Sequence, residues 1–144
     1  MKHFLMGFGL SLVLLPNITI NAQNAQTSSD EASAVRATVT NYIEAYYRGD
    51  ADRMQQTLHP HYLKHVIHAN IPMREMTGTE MVAAVRRGPP DIPQSERTEQ
   101  VNVLDMSGNI ASAKLVTPGW VDYMTLSKES RGWKILSVVQ TIEN

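Results

Sequence analysis

Gly119-Trp120-Val121-Asp122-Tyr123-Met124-Thr125-Leu126 runs on through Lys128-Glu129-Ser130-Arg131 into Gly132-Trp133-Lys134-Ile135-Leu136-Ser137-Val138-Val139, and these two runs decide the fold. Both are strand-like, and the polar residues between them form the turn of a hairpin. Asp122 is the one carboxylate in the first run and stands among large apolar neighbours, which points to a lined cavity on one sheet face. Reading backwards, two more runs of strand length precede the hairpin. Residues 99–106, 110–117, 120–127 and 133–142 are predicted strands, broken at Ser107-Gly108-Asn109, Pro118-Gly119 and Ser130-Arg131-Gly132.

The half before residue 98 has helical periodicity instead. Ser29 or Asp30 caps a first helix with Val35, Val39, Tyr42, Ile43 and Tyr46 on one side and Arg36, Thr40, Glu44 and Arg48 on the other. Gly49 ends it, and Asp50 caps a second, shorter helix that carries Met54 and Leu58 and stops at Pro60. Thr77 or Thr79 opens a third helix through Met81, Val82 and Val85 to Gly88. Pro89-Pro90-Asp91-Ile92-Pro93 can continue neither a helix nor a central strand and reads as an extended surface loop. Helices first and an antiparallel meander afterwards is the pattern of an α+β fold with helices on one sheet face.

At the N-terminus, Lys2 and His3 precede the apolar run 4–15, Pro16 breaks it and Ala22 follows. This is the layout of a signal peptide cleaved after Ala22, so residues 1–22 are expected to be removed and the domain exported to the periplasm or beyond. The run falls short of the roughly 20 residues that span a bilayer, so no stable membrane anchor is expected. Residues 23–30 read as a flexible lead-in and 31–144 as one domain. The chain has no cysteine, which excludes disulfides and a lipid-anchoring cysteine, and about 120 residues remain to build a core. A net charge of −1 without any Lys/Arg block argues against nucleic acid. Arg86 and Arg87, the one tight basic pair, close the third helix, where cations complement the helix dipole.

Tyr42-Ile43-Glu44-Ala45-Tyr46-Tyr47-Arg48-Gly49-Asp50, then Leu58-His59-Pro60, then Val121-Asp122-Tyr123 and Gly132-Trp133-Lys134-Ile135 together resemble the nuclear transport factor 2-like superfamily. Within it the chain is most similar to the lumazine-binding branch, near the polyketide-cyclase-like SnoaL group, over about residues 31–140. The resemblance implies a cone, in which a strongly curved antiparallel sheet wraps the long helix and opens at one end into a pocket. It also implies a homodimer paired through the outer sheet face. It fixes no activity, because this fold carries isomerases, dehydratases, cyclases and non-catalytic binders alike.

Several residues are candidates for the pocket. Asp122, raised in pKa by burial among Trp120, Met124 and Trp133, has the chemistry of a general base, or else pairs with Lys114 or Lys134 on a neighbouring strand. His59, His61, His65 and His68 crowd one segment, but the spacing is poor for a metal and no Asp or Glu lies between Gln56 and Arg74. A pocket base among them, His59 or His65, is the better reading, and no metal or cofactor is expected. Tyr42, Tyr46 and Tyr47 can fill the core or offer a phenol to a carbonyl, Tyr46 being the candidate oxyanion donor. Trp120 and Trp133 can stack on a flat heterocycle. Met54, Met73, Met76, Met81, Met106 and Met124 can give a soft lining, with Met76 and Met124 the expected ligand contacts.

Three classes of function fit: an exported binder of a small apolar or heterocyclic ligand, a cofactor-independent isomerase, dehydratase or cyclase using Asp122, His59 and Tyr46, and a dimeric interaction module. The binder leads, because the residues name no matched acid and base.

Overall fold

The computed structural model describes the backbone of residues 17–142 and the side chains of residues 23–142. In chain order the elements are α1 (Asn17–Arg48), α2 (Ala51–Thr57), β1 (Leu58–His68), β2 (Ile71–Thr77), α3 (Gly78–Arg86), β3 (Gln100–Ser107), β4 (Ile110–Thr117), β5 (Trp120–Glu129) and β6 (Gly132–Ile142). The strands form one curved, unclosed sheet in the order β2-β1-β6-β5-β4-β3. Every neighbouring pair is antiparallel except β1 with β6, which is parallel. The α+β class and the long N-terminal helix stand as read from the sequence, while the sheet is mixed rather than wholly antiparallel.

The core lies between α1 and the inner sheet face. Val35, Val39, Tyr42 and Ile43 of α1 are buried against Ala111, Ala113 and Leu115 of β4, Met124 and Leu126 of β5, and Ile135 and Val138 of β6. In β4 the burial is strictly alternate, so every second side chain is withdrawn from water, each large one stabilising the fold by about 1.5–3 kcal/mol. In β6 the alternation slips between Ile135 and Val138, because a register shift near Thr125 and Leu126 of β5 lets both point inward.

The caps fall where the sequence puts them. Gly49 ends α1 at φ +68°, the Asp50 carboxylate accepts from the Arg53 amide at 2.9 Å, and Thr77 and Glu80 form a reciprocal capping box at α3. Gly49 has a second role: a Cβ there would stand 2.7 Å from the Gly88 carbonyl carbon, so α1 ends hard against the segment that leaves α3. The proline-rich segment after α3 is pinned by Arg97, whose guanidinium donates to the carbonyls of Ile92 (2.9 Å), Tyr47 (3.0 Å) and Pro90 (3.2 Å).

Two expectations are corrected. The α1 backbone is helical from Asn17, so residues 23–30 are exposed helix rather than a flexible lead-in. Residues 58–77, which carried no predicted strand, form the β1–β2 hairpin, turned at Ala69-Asn70 with Asn70 at φ 65°. The expected apolar segment 4–15 lies outside the described residues. Among the described residues no helix is long and apolar enough to cross a membrane.

Candidate functional site

A cavity of about 780 Å³ opens at one end of the sheet, between α1, α3, the β1–β2 hairpin and the adjoining ends of β5 and β6. Strand register decides who faces it. Asp122 lies opposite Gln140, Gln140 opposite Val66, and Val66 opposite Arg74, so one inner row crosses from β5 to β2. Tyr42, Ile43 and Tyr46 of α1 form the roof, while Glu80, Met81, Ala84 and Arg87 present one helical face of α3. Trp120, Met76 and Ile142 add apolar wall, and Lys64 and His68 add polar groups from β1. The lining is therefore amphipathic rather than uniformly apolar.

At the back of the cavity is a buried polar cluster. Asp122 is fully buried, and Lys64 is 6% exposed with its ammonium 3.6 Å from Asp122 Oδ1. Lys64 Nζ donates to the Tyr42 hydroxyl at 3.2 Å, and that hydroxyl stands 3.3 Å from the hydroxyl of Tyr62. Among the described residues neither Asp122 oxygen accepts a hydrogen bond. Loss of water pushes the Asp122 carboxyl above the ordinary aspartate range, a rise opposed by Lys64, Gln140 and Trp120. Burial likewise pulls the Lys64 ammonium below its ordinary range, against the attraction of Asp122. The phenols of Tyr42 and Tyr46 are pushed up, first by burial and then by neighbours that include Asp122. Burial thus moves the acid and the amine towards each other, while their mutual attraction opposes both shifts.

Of the residues singled out from sequence, Asp122, Tyr42, Tyr46, Met76 and Trp120 line this cavity. The Trp120 ring meets Tyr46 edge-on at 5.8 Å, so the two form an aromatic corner beside Asp122. Tyr47 is turned away and donates to the Thr98 carbonyl at 3.0 Å. Met124 lies behind the cavity in the core. Trp133 is at the far end, where its indole N–H donates to Glu31 at 2.8 Å, so the two tryptophans do not flank one ligand.

The histidines separate by strand parity. His59, His61 and His65 occupy odd positions on the outer face of β1, where His59 is 3.4 Å from Glu129 and His65 3.1 Å from Glu75. Neither His59 nor His65 reaches the cavity, whereas His68 does. The partner of Asp122 is Lys64, not Lys114 or Lys134. Lys114 lies over the Tyr123 ring on the outer face, and Lys134 bonds the Gln56 carbonyl. Lys64, Gln140, Arg74 and Arg87 were missed by sequence reasoning. The signal available was the even parity of Tyr62, Lys64, Val66 and His68, legible only once 58–68 is recognised as a strand.

The sequence matches the model of a family described as "Putative lumazine-binding" over residues 30–139. No curated protein sequence matches it. Among solved structures it is similar to a nuclear transport factor 2-like protein of unknown function from Silicibacter pomeroyi, with a TM-score of 0.68 and 16% identity over 81% of this chain and 98% of that one. A second such protein, from Shewanella baltica, gives a TM-score of 0.66 at 14% identity, covering 81% and 96%. A ketosteroid isomerase-like protein from Erwinia carotovora gives 0.58 at 15% identity, covering 79% and 97%. Likenesses at such identities show a shared fold.

Proposed function

Because this chain belongs to the family described as "Putative lumazine-binding", whose fold it shares with nuclear transport factor 2-like proteins, we propose that it is a small-molecule-binding protein. Its ligand is a flat heteroaromatic compound held in the cavity under α1, against the corner of Tyr46 and Trp120. The observation that carries this reading is Asp122, a fully buried carboxylate on the cavity wall whose oxygens accept no hydrogen bond among the described residues, with the Lys64 ammonium 3.6 Å away. A buried acceptor that receives no hydrogen bond costs about 1–3 kcal/mol, and a ring N–H or O–H from a ligand offsets that cost.

Native mass spectrometry of the protein purified without added ligand tests this. A small molecule released on denaturation is expected, with occupancy falling at least tenfold in Asp122→Asn. An empty wild-type protein that also gives no heat with planar heteroaromatic compounds in calorimetry would end the reading.

A second reading, a cofactor-independent proton-transfer enzyme, is favoured by the Asp122–Lys64 pair itself, with Tyr46 as a hydrogen-bond donor to an enolate oxygen. Turnover of an enolisable ketone that is lost in Asp122→Asn and retained in His59→Ala would support it. The protein acts as an exported homodimer in this proposal. Cleavage after Ala22 would shorten α1 without touching the core, whose first α1 residue is Val35, and N-terminal sequencing of the mature protein checks the site.

A further inference from the structure

Six charged groups line the cavity, three of each sign, and they do not all pair with one another. Asp122 and Lys64 face each other at 3.6 Å and neutralise one another. Glu75 is engaged by His65 at 3.1 Å, and Glu80 is turned back onto Thr77, accepting from its amide at 2.7 Å. Two guanidiniums of the lining stand outside these contacts. Among the described residues, Arg74 of β2 and Arg87 at the end of α3 line the cavity without a carboxylate within 4.0 Å, although Arg86 next door does find one, in Asp52 at 3.8 Å. Lys64 is moreover pushed towards its neutral form by Arg74 as well as by burial, so the positive field of Arg74 reaches the back of the site.

The position of these two guanidiniums turns them into a source of specificity. Arg74 ends the same inner row that Asp122 begins, with Gln140 and Val66 between them. Three interstrand steps of ~4.8 Å separate the two backbones by about 14 Å, a gap that the long Arg74 side chain can shorten. Arg87 approaches from the opposite wall, one helical stripe beyond Met81 and Ala84. A ligand whose donor end reaches Asp122 extends its other end towards the walls that carry Arg74 and Arg87, groups suited to bidentate binding of an oxyanion.

We infer that the ligand is an anion: a planar molecule with an N–H or O–H donor for Asp122 at one end and a carboxylate at the other, clasped at the mouth by Arg74 and Arg87. This rests on the binding reading above and adds the charge of the ligand to it. The cavity rejects the neutral isostere because it leaves the two arginines without an anion and gains no attraction from their field.

A matched pair of probes tests it by isothermal calorimetry at 50 mM salt: 6-carboxypterin, and 6-hydroxymethylpterin, which keeps the ring donors but lacks the charge. The carboxylate is expected to bind at least tenfold more tightly. That preference should weaken in Arg74→Gln, vanish in Arg74→Gln/Arg87→Gln and shrink at 500 mM salt, with the melting temperature unchanged because both arginines are exposed. Asp122→Asn should weaken both probes alike. Equal affinity of the wild type for the two probes overturns the anion inference and leaves the binding reading standing. A preference that survives removal of both arginines overturns the assignment to Arg74 and Arg87. Failure of both probes to bind defeats the inference together with the reading beneath it.

Discussion

Asp122 and Lys64 are the residues on which the site turns, and they make a sharp prediction about stability. Lys64→Met leaves a buried carboxylate without its cation and is expected to cost about 3–5 kcal/mol at pH 7. The double change Lys64→Met/Asp122→Leu should recover most of that, because it removes both desolvated charges; denaturant unfolding of the four proteins gives the coupling. The pH dependence has a definite sign. Burial already raises the Asp122 carboxyl, and losing Lys64, the first of the groups opposing that rise, raises it further. The folded state of the single variant then favours the protonated acid. Its deficit is full above the folded pKa and shrinks as pH falls towards about 4, the unfolded value. A deficit that is flat from pH 4 to 8 would show that the pair is not ionised. Asp122 could be picked out from sequence because a lone acid in an aromatic strand breaks its pattern. Lys64 could not, since a lysine between Leu63 and His65 in a histidine-rich segment reads as a solvated face, and only the parity of β1 turns it inward.

Elements were legible in proportion to the strength of their local punctuation. Asp50, Thr77 and Gly49 each do what their residue type does at a helix end, and the three turns after residue 106 carry glycine or proline. The β1–β2 hairpin carries Pro60 near its start and turns on Ala69-Asn70, a weak signal beside the helical reading of Met54 and Leu58. Its strand character comes from pairing with β6, some 70 residues later, and no local preference announces that. The α1–α3 junction yields a test at this scale. Gly49→Ala combines a positive φ, worth about 1–2 kcal/mol, with a collision against backbone at Gly88. Gly108 has a similar φ of +57° but open space around it, so Gly108→Ala carries the conformational part alone. Thermal unfolding should show the first variant less stable than the second by more than about 1 kcal/mol. Equal losses would mean that the junction yields.

For the whole molecule, the outer sheet face is the feature that asks for a partner. Tyr123 and Val139 stand opposite each other on β5 and β6, 48% and 42% exposed, with Ile67 of β1 at 43% alongside. We propose that two copies pair through this face, away from the cavity. Sedimentation of the wild type is expected to give a dimer and that of Tyr123→Glu/Val139→Glu a monomer, with ligand affinity kept. A wild-type protein that sediments as a monomer at tens of micromolar would refute the pairing.

The place of β6 has a consequence in time as well as in space. The last strand among the described residues is the one that joins the hairpin of β1 and β2 to the meander of β3, β4 and β5, and it brings Gln140 and Ile142 to the cavity. A growing chain can form α1 and local hairpins early, but it has nothing to hold the two parts of the sheet in register until residues 132–142 emerge. Closure of the sheet is therefore expected to come late. Until it happens the nascent chain stays open, and the buried pair at the back of the site does not yet exist.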